Sequence, residues 1–274
     1  MSLTHLGLEQ TSIRDIAREA LDALNDGRQI PCFTARYPGF DHAEAYRVVD
    51  EMRRSREAAG DRVVGRKIGF TNRGIWTEPA MWGFMYGRTI RDLPHDHGAF
   101  PLAGFVEPRI EPEIVFGLAA APAVGMSESA LLGCIEWVAH GFEVVQSIFP
   151  GWTFSGADTV AAGGLHGTLL IGSRRPVAAD ANGWRDALAS FDLDLSCNGM
   201  AVDHGHAVNV MSGPLLALRH LVAMLASDPV NPSLAPGEII TTGTLTRALP
   251  IAAGEEWSTE LRGIPLAGLR VRFT

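Results

Sequence analysis

Apolar residues recur at three- and four-residue spacing over the first sixty positions. Ile13, Ile16, Ala17, Ala20, Leu21 and Leu24 fall on one helical face, and Gly27 can stop the run. A second helix is predicted from Asp41, which forms a capping box with Glu44, through Val48, Val49 and Met52. It ends in the charged stretch from Arg53 to Glu57, a solvated face, and at Gly60.

After Asp61 the texture changes. Glycine and proline become frequent and apolar runs shorten, the pattern of a strand-rich body. Val63 to Phe70 reads as a glycine-bracketed strand. Ser127 caps a predicted helix through Leu131, Leu132 and Ile135, and a strand containing Glu143 follows. Leu165 to Gly172 and Phe191 to Cys197 read as further strands, the latter turning at Asn198-Gly199. Leu215 to Leu225 is apolar almost all round, so a buried helix is expected. Glu238 to Thr244 and Leu269 to Phe273 close the chain as strands. The pattern divides the chain into an N-terminal helical lobe, residues 1–62, and a body, residues 63–274. No internal repeat and no low-complexity tract interrupts it.

Composition narrows the function classes. The chain has 274 residues and an apolar fraction of 46%, enough for a sizeable core. Its net charge of −8, with no basic run, weighs against nucleic acid as a partner. Three widely spaced cysteines, Cys32, Cys134 and Cys197, suit neither a disulfide framework nor a zinc site, and fit the reducing cytoplasm. The start has no signal-peptide pattern, and the apolar stretch from Ile114 to Met126 is too short to span a bilayer, so no membrane is expected.

Chemistry enters at Glu111-Pro112-Glu113. On a strand the two carboxylates project to the same face with Val115, while Ile114 and Phe116 take the other. Pro112 removes a ladder donor, which predicts an edge or a bulge. Glu143 adds a charge inside the apolar run Gly141-Phe142-Glu143-Val144-Val145, where it needs a partner. Two readings stand. The pair is a solvated strand face, or one hard divalent cation such as magnesium or manganese is held by Glu111, Glu113 and Glu143.

Five segments, in order, resemble the 2-keto-4-pentenoate hydratase branch of the fumarylacetoacetate hydrolase (FAH) superfamily. They are Arg66-Lys67-Ile68-Gly69-Phe70-Thr71, Glu111-Pro112-Glu113-Ile114 and Phe142 to Ser147, then Asp158-Thr159-Val160-Ala161 and Pro236 to Thr244. The resemblance implies an α+β fold, an FAH-like mixed β-roll catalytic domain preceded by helices. It implies a magnesium- or manganese-dependent lyase, with Glu111, Glu113 and Glu143 on the metal-binding acids and Lys67 on the active-site lysine. Thr242, Gly243 and Thr244 fall on the loop that receives the substrate's carboxylate end. The implied reaction is addition of water to a 2-hydroxy-2,4-dienoate through a metal-stabilised enolate. The alternatives are a 4-oxalocrotonate-type decarboxylase, an acylpyruvate hydrolase and a catalytically idle partner subunit. Small 2-keto acids or their dienols are the implied substrates, and a homo-oligomer that associates with a related pathway enzyme is the implied assembly.

The chain also departs from that pattern. Gln146 stands where an acid is common, Ile148 where an arginine is common, and Ala162 and Gly163 where an Asp-Asn pair often follows the aspartate motif. Trp82 occupies the place of an acid in the loop from Trp76 to Arg88. Desolvation on an apolar strand is expected to lower the pKa of Lys67, which suits it to move protons. His166 is the second proton-transfer candidate, against a plain loop or core histidine. His140, three residues before Glu143, falls on the opposite face. His95-Asp96-His97 and Asp203-His204-Gly205-His206 have chelate-like spacing but read as surface loops. Trp76, Trp82, Phe84, Met85 and Tyr86 form either an apolar lid or plain core.

Overall fold

The computed structural model describes residues 8–72, 74, 75, 78–179 and 181–274. In chain order the elements begin α1 (Gln10–Asp26), α2 (Phe33–Arg36), α3 (His42–Ala58), β1 (Val63–Gly69), β2 (Met81–Tyr86), β3 (Ile90–Asp92), β4 (His97–Phe100) and β5 (Arg109–Leu118). Then come α4 (Glu128–Leu132), β6 (Ile135–Val145), α5 (Gly156–Ala161), β7 (His166–Ile171), β8 (Arg175–Pro176) and α6 (Ala181–Ser190). The chain closes with β9 (Asp192–Cys197), β10 (Met200–His206), α7 (Pro214–Ala226), β11 (Ile239–Thr241), β12 (Leu249–Pro250), β13 (Glu256–Arg262) and β14 (Arg270–Phe273).

The strands form two sheets, giving a mixed α+β fold. The larger runs β2-β1-β11-β5-β6-β7-β3, with β12 also on β5 and β8 also on β6; the smaller runs β10-β9-β13-β14-β4. Parallel pairs (β1 with β11, β3 with β7, β14 with β4) sit among antiparallel ones.

The two N-terminal helices form as their apolar spacing dictates. Gly27 takes the left-handed conformation that ends α1, and the Asp41 carboxylate accepts the Glu44 N–H at the start of α3. Ile13, Ile16 and Ala20 of α1 and Val48 and Val49 of α3 are buried in the same cluster as Ile68, Trp82 and Phe84 of the sheet. Tyr46 of α3 stacks on Trp82 at 5.0 Å, and its hydroxyl accepts the Trp82 N–H at 3.1 Å. Trp82, Phe84, Met85 and Tyr86 are therefore core residues of β2 rather than a lid, while Trp76 lies outside the described residues.

Several sequence expectations need correction. Ile135 opens β6 instead of ending α4, because the chain turns at Gly133. β11 stops at Thr241, so Thr242 to Thr244 are loop. Asp203 to His206 belong to β10, hydrogen-bonded to β9, and are not a loop. β5 is an interior strand, not an edge. Opposite β6 it is covered by β12 at Arg109 and Ile110 and by β11 from Val115 to Gly117. Pro112 occupies the gap between those two strands, where it has no ladder donor to lose, and its carbonyl accepts the Leu245 N–H at 2.9 Å.

The segment Ala207–Ala226, which includes α7, is long and apolar enough to cross a membrane by length and composition, but half of it is buried inside the fold. Leu215, Leu218, Leu221 and Leu225 are core residues, and α7 packs on α4, α6 and β1. It is the buried helix that its all-round apolar pattern predicts.

Candidate active site

Alternation along β5 sorts its residues into two environments. Ile110, Ile114 and Phe116 enter the main core, and Val115 joins Met85, Ala139, Leu169 and Ile171 on the other face. Arg109, Glu111 and Glu113 share the face of Val115. The antiparallel register sets Glu111 directly opposite Glu143 of β6, and Glu113 opposite Gly141. Directly opposed like charges destabilise a sheet unless something stands between them.

Two groups are at hand. Lys67 of β1, which β11 and β5 separate from β6 in the sheet, places Nζ 3.0 Å from Glu143 Oε2, and His166 Nδ1 lies 2.8 Å from Glu143 Oε1. Glu113 Oε2 accepts the Gly243 N–H at 2.6 Å, while the buried Glu113 Oε1 has no partner among the described residues. Ligand atoms of Glu111, Glu113 and Glu143 all lie within 4.8 Å of one another. Oxygens bound to one hard cation at about 2.0–2.6 Å span up to about 4–5 Å across it. An all-carboxylate set with an orphaned buried oxygen thus fits a divalent ion of the magnesium, manganese or calcium type. Among the described residues no other acid, histidine or cysteine group brings three such atoms together.

The electrostatics follow from burial. Desolvation raises Glu111, against the pull of Lys67, to about 7 even though part of its surface faces the pocket. Desolvation and the charges of Glu143 and Glu111 push Glu113 well above the usual carboxylate range. Burial works on Glu143 in the same direction, but Lys67 and the His166 hydrogen bond outweigh it and bring it down to about 2. The expectation for Lys67 is corrected. Desolvation does lower its pKa, yet the charges of Glu143, Glu111 and Glu113 outweigh desolvation and raise it, so the ammonium persists beside the carboxylates.

These shifts carry a pH signature. With Glu111 and Glu113 raised, the folded metal-free chain binds more protons than the unfolded chain between pH 4.5 and about 7. Its stability is expected to fall as pH rises through that window. Added magnesium should restore it most at the upper end, since metal requires ionised ligands. Thermal melts with a chelator or with magnesium across this range check the point; metal-free stability rising from pH 5 to 7 would contradict it.

The pocket around the carboxylates is small, about 40 Å³, and is lined by Lys67, Glu111, Glu113, Gly243 and Thr244 among others. Thr242 is fully buried and its hydroxyl donates to the Ile114 carbonyl, so it supports the loop from behind. The Thr244 hydroxyl donates to the Thr246 carbonyl. His166 touches Glu143 from outside this pocket, with Nε2 2.8 Å from Thr89 Oγ1. Gln146, Ala162, Gly163 and His166, all singled out in the sequence, line a second cavity on its far side.

Other residues of the pocket were not anticipated individually. Phe70 takes a left-handed backbone conformation that turns Thr71 inward, where its buried hydroxyl has no partner among the described residues. The Arg109 guanidinium stacks 4.1 Å over Trp152 and makes no ion pair among the described residues. The alternation that marked Glu111 and Glu113 would have found Arg109; nothing in the sequence points to Trp152.

The remaining histidines have other work. His140 Nδ1 donates to the Glu113 carbonyl at 2.9 Å and Nε2 accepts from Thr259 Oγ1 at 2.9 Å, tying the two sheets together. Burial brings its pKa down to about 4, so it is neutral. His204 pairs with Asp194 at 2.7 Å on the exposed face of β10, and Asp96 accepts from the Ser173 hydroxyl at 2.9 Å.

No family model matches the chain. It is 29% identical over 247 residues to a 2-hydroxyhexa-2,4-dienoate hydratase of Comamonas testosteroni, covering 89% of this chain and 91% of that protein. It is 28% identical over 273 residues to a 4-oxalocrotonate decarboxylase of Pseudomonas sp. (strain CF600), covering 97% and 98%. The solved 4-oxalocrotonate decarboxylase from Pseudomonas putida G7, complexed with magnesium and adipate, shares the fold at a TM-score of 0.87 and 24% identity, over 97% of this chain and 99% of that one.

Proposed function

We propose that the chain is a divalent-metal-dependent hydratase of the 2-keto-4-pentenoate hydratase and 4-oxalocrotonate decarboxylase branch of the FAH superfamily, and that it adds water to a 2-hydroxy-2,4-dienoate. The observation that carries this reading is the opposed pair Glu111 and Glu143, with Glu113 beside them and Lys67 against Glu143. Glu111, Glu113 and Glu143 would hold the ion, for which magnesium or manganese is proposed from the oxygen donor set. When bound, the ion supplies a Lewis acid for a 2-oxo acid.

The chain's own groups do the rest. Lys67 places an ammonium at the pocket wall, where it stabilises negative charge developing on the substrate. His166 fixes the Glu143 carboxylate from behind, a positioning role. Gly243 does the same for Glu113, and Thr244 and the free Thr71 hydroxyl line the space for the substrate's carboxylate end. The small pocket limits the water that can enter with the substrate. In this reading residues 63–274 carry catalysis, and the helices of residues 1–62 buttress β2 and α5. Small 2-oxo acids or dienols are its partners, with self-association, association with a related enzyme and a cytoplasmic setting proposed on the same footing.

One feature favours a second reading, decarboxylation of a 4-oxalocrotonate-type diacid. Arg109 in the pocket makes no ion pair among the described residues and is suited to a second carboxylate. Turnover of 2-hydroxypenta-2,4-dienoate and of 2-oxo-3-hexenedioate with magnesium or manganese, and with a chelator, decides between them. Metal-dependent gain of one water, seen by mass, is the expected result. Loss of CO2 from the diacid would replace the hydratase with the decarboxylase, and inactivity on both with metal bound would overturn both.

A further inference from the structure

The second cavity, behind the turn from Gly163 to His166, encloses about 240 Å³, several times the metal pocket. α1 and α3 supply one wall through Leu24, Val49 and Met52, β2 supplies Phe84 and Tyr86, and Phe105 faces them. One wall of its body is therefore hydrocarbon, beside polar groups.

Its charge is one-sided. The lining carries two guanidiniums, Arg56 and Arg88, and no carboxylate, in a chain whose net charge is −8. Both arginines draw on one acid outside the cavity, Asp61. Arg88 Nε lies 2.9 Å and Arg56 Nη1 3.4 Å from the same oxygen, Asp61 Oδ2. Two cations sharing one anion leave a positive charge uncompensated. Arg56 is largely buried and packed over the Tyr86 ring at 4.5 Å, and its buried Nε has no hydrogen-bond partner among the described residues. A desolvated cation with an unused donor is costly unless an anion meets it. Gln146, Thr89 and Asn25 add polar groups along the lining.

We infer that this cavity is a second small-molecule site, which binds an organic monocarboxylate with its carboxylate on Arg56 and Arg88 and its short hydrocarbon body between Met52, Phe84 and Phe105. Inorganic anions satisfy the arginines but not the apolar wall, and neutral alcohols do the reverse. The site is separate from the metal pocket, sharing with it only the turn that ends at His166, and it stands whether or not the chain is a hydratase.

Calorimetric titration of the full chain with hexanoate tests this, in the presence of a chelator so that no metal recruits the probe. Saturable binding is expected in the native chain and in Glu113→Gln, with hexan-1-ol and sulfate each binding about tenfold more weakly or worse. Arg88→Gln, at a half-exposed position that folding tolerates, and Arg56→Gln should each weaken hexanoate by about tenfold or more. No saturable binding to the folded native chain would overturn the inference. So would undiminished binding in both arginine variants, or binding strengthened in Glu113→Gln, where one carboxylate fewer repels the probe, which would place it in the metal pocket.

Discussion

Replacing Glu113 with glutamine is expected to lower kcat/KM by at least about 10³-fold while the chain still folds. Glutamine is isosteric and keeps an oxygen to accept the Gly243 N–H, which now sits 2.6 Å from Glu113 Oε2. What it removes is a carboxylate that burial and the charges of Glu143 and Glu111 already press toward protonation. The metal-free variant should therefore melt no lower than the native chain, because a buried charge without a full partner is a cost rather than a gain. Magnesium should no longer raise its melting temperature, since a trio has become a pair. Turnover and melting curves with and without metal check both halves. Full turnover in Glu113→Gln would remove the metal from the mechanism, whatever the substrate.

The second large effect is expected at Lys67, where turnover and metal affinity should move in opposite directions. Lys67→Met keeps the length and apolar stem of the side chain and deletes the ammonium 3.0 Å from Glu143 Oε2. Turnover should fall by at least about 10²-fold, because the group that stabilises developing negative charge leaves the pocket. Divalent-cation affinity, measured near pH 8, should rise. Glu143 loses the cation that now competes for it, and the carboxylates' demand for positive charge grows. A purely structural lysine would give a different pattern, with weaker metal binding and a lower melting temperature in proportion to lost activity. Metal affinity that falls along with turnover would assign Lys67 to scaffolding.

The local order of this protein is written in its near-neighbour pattern. The apolar spacing of α1 and α3, the Asp41 cap, the Asn198-Gly199 turn and the strand that carries Glu143 depend on contacts between near neighbours, so pattern alone exposes them. The alternation that puts Glu111 and Glu113 on one face of β5 is equally local, and it sorts Val115 from Ile114 and Phe116 as it should. Elements with weak patterns escaped, among them α5, α6 and β13, since short or amphipathic segments take their shape from what they pack against.

Which side chains face one another depends on long-range pairing. Glu111 stands opposite Glu143 because of the β5–β6 register, which no spacing within one strand specifies. Lys67 reaches the same point although two strands, β11 and β5, stand between β1 and β6 in the sheet. The sign of its pKa shift turned on that meeting, because three carboxylates outweigh desolvation. His166 is the sharpest case. Counting back from Leu169, which pairs with Glu143, alternation puts His166 on the far face of β7. An irregularity in the β6–β7 ladder sets Val144 against Thr168 but Val145 against His166, leaving Gly167 as the extra residue. A Cβ on Gly167 would stand 2.5 Å from Phe105 Cε1 and 2.7 Å from the Val144 carbonyl, so glycine is what lets the bulge form. That single extra residue swings the imidazole onto Glu143, and it exists because two strands and a loop close on it from distant parts of the chain.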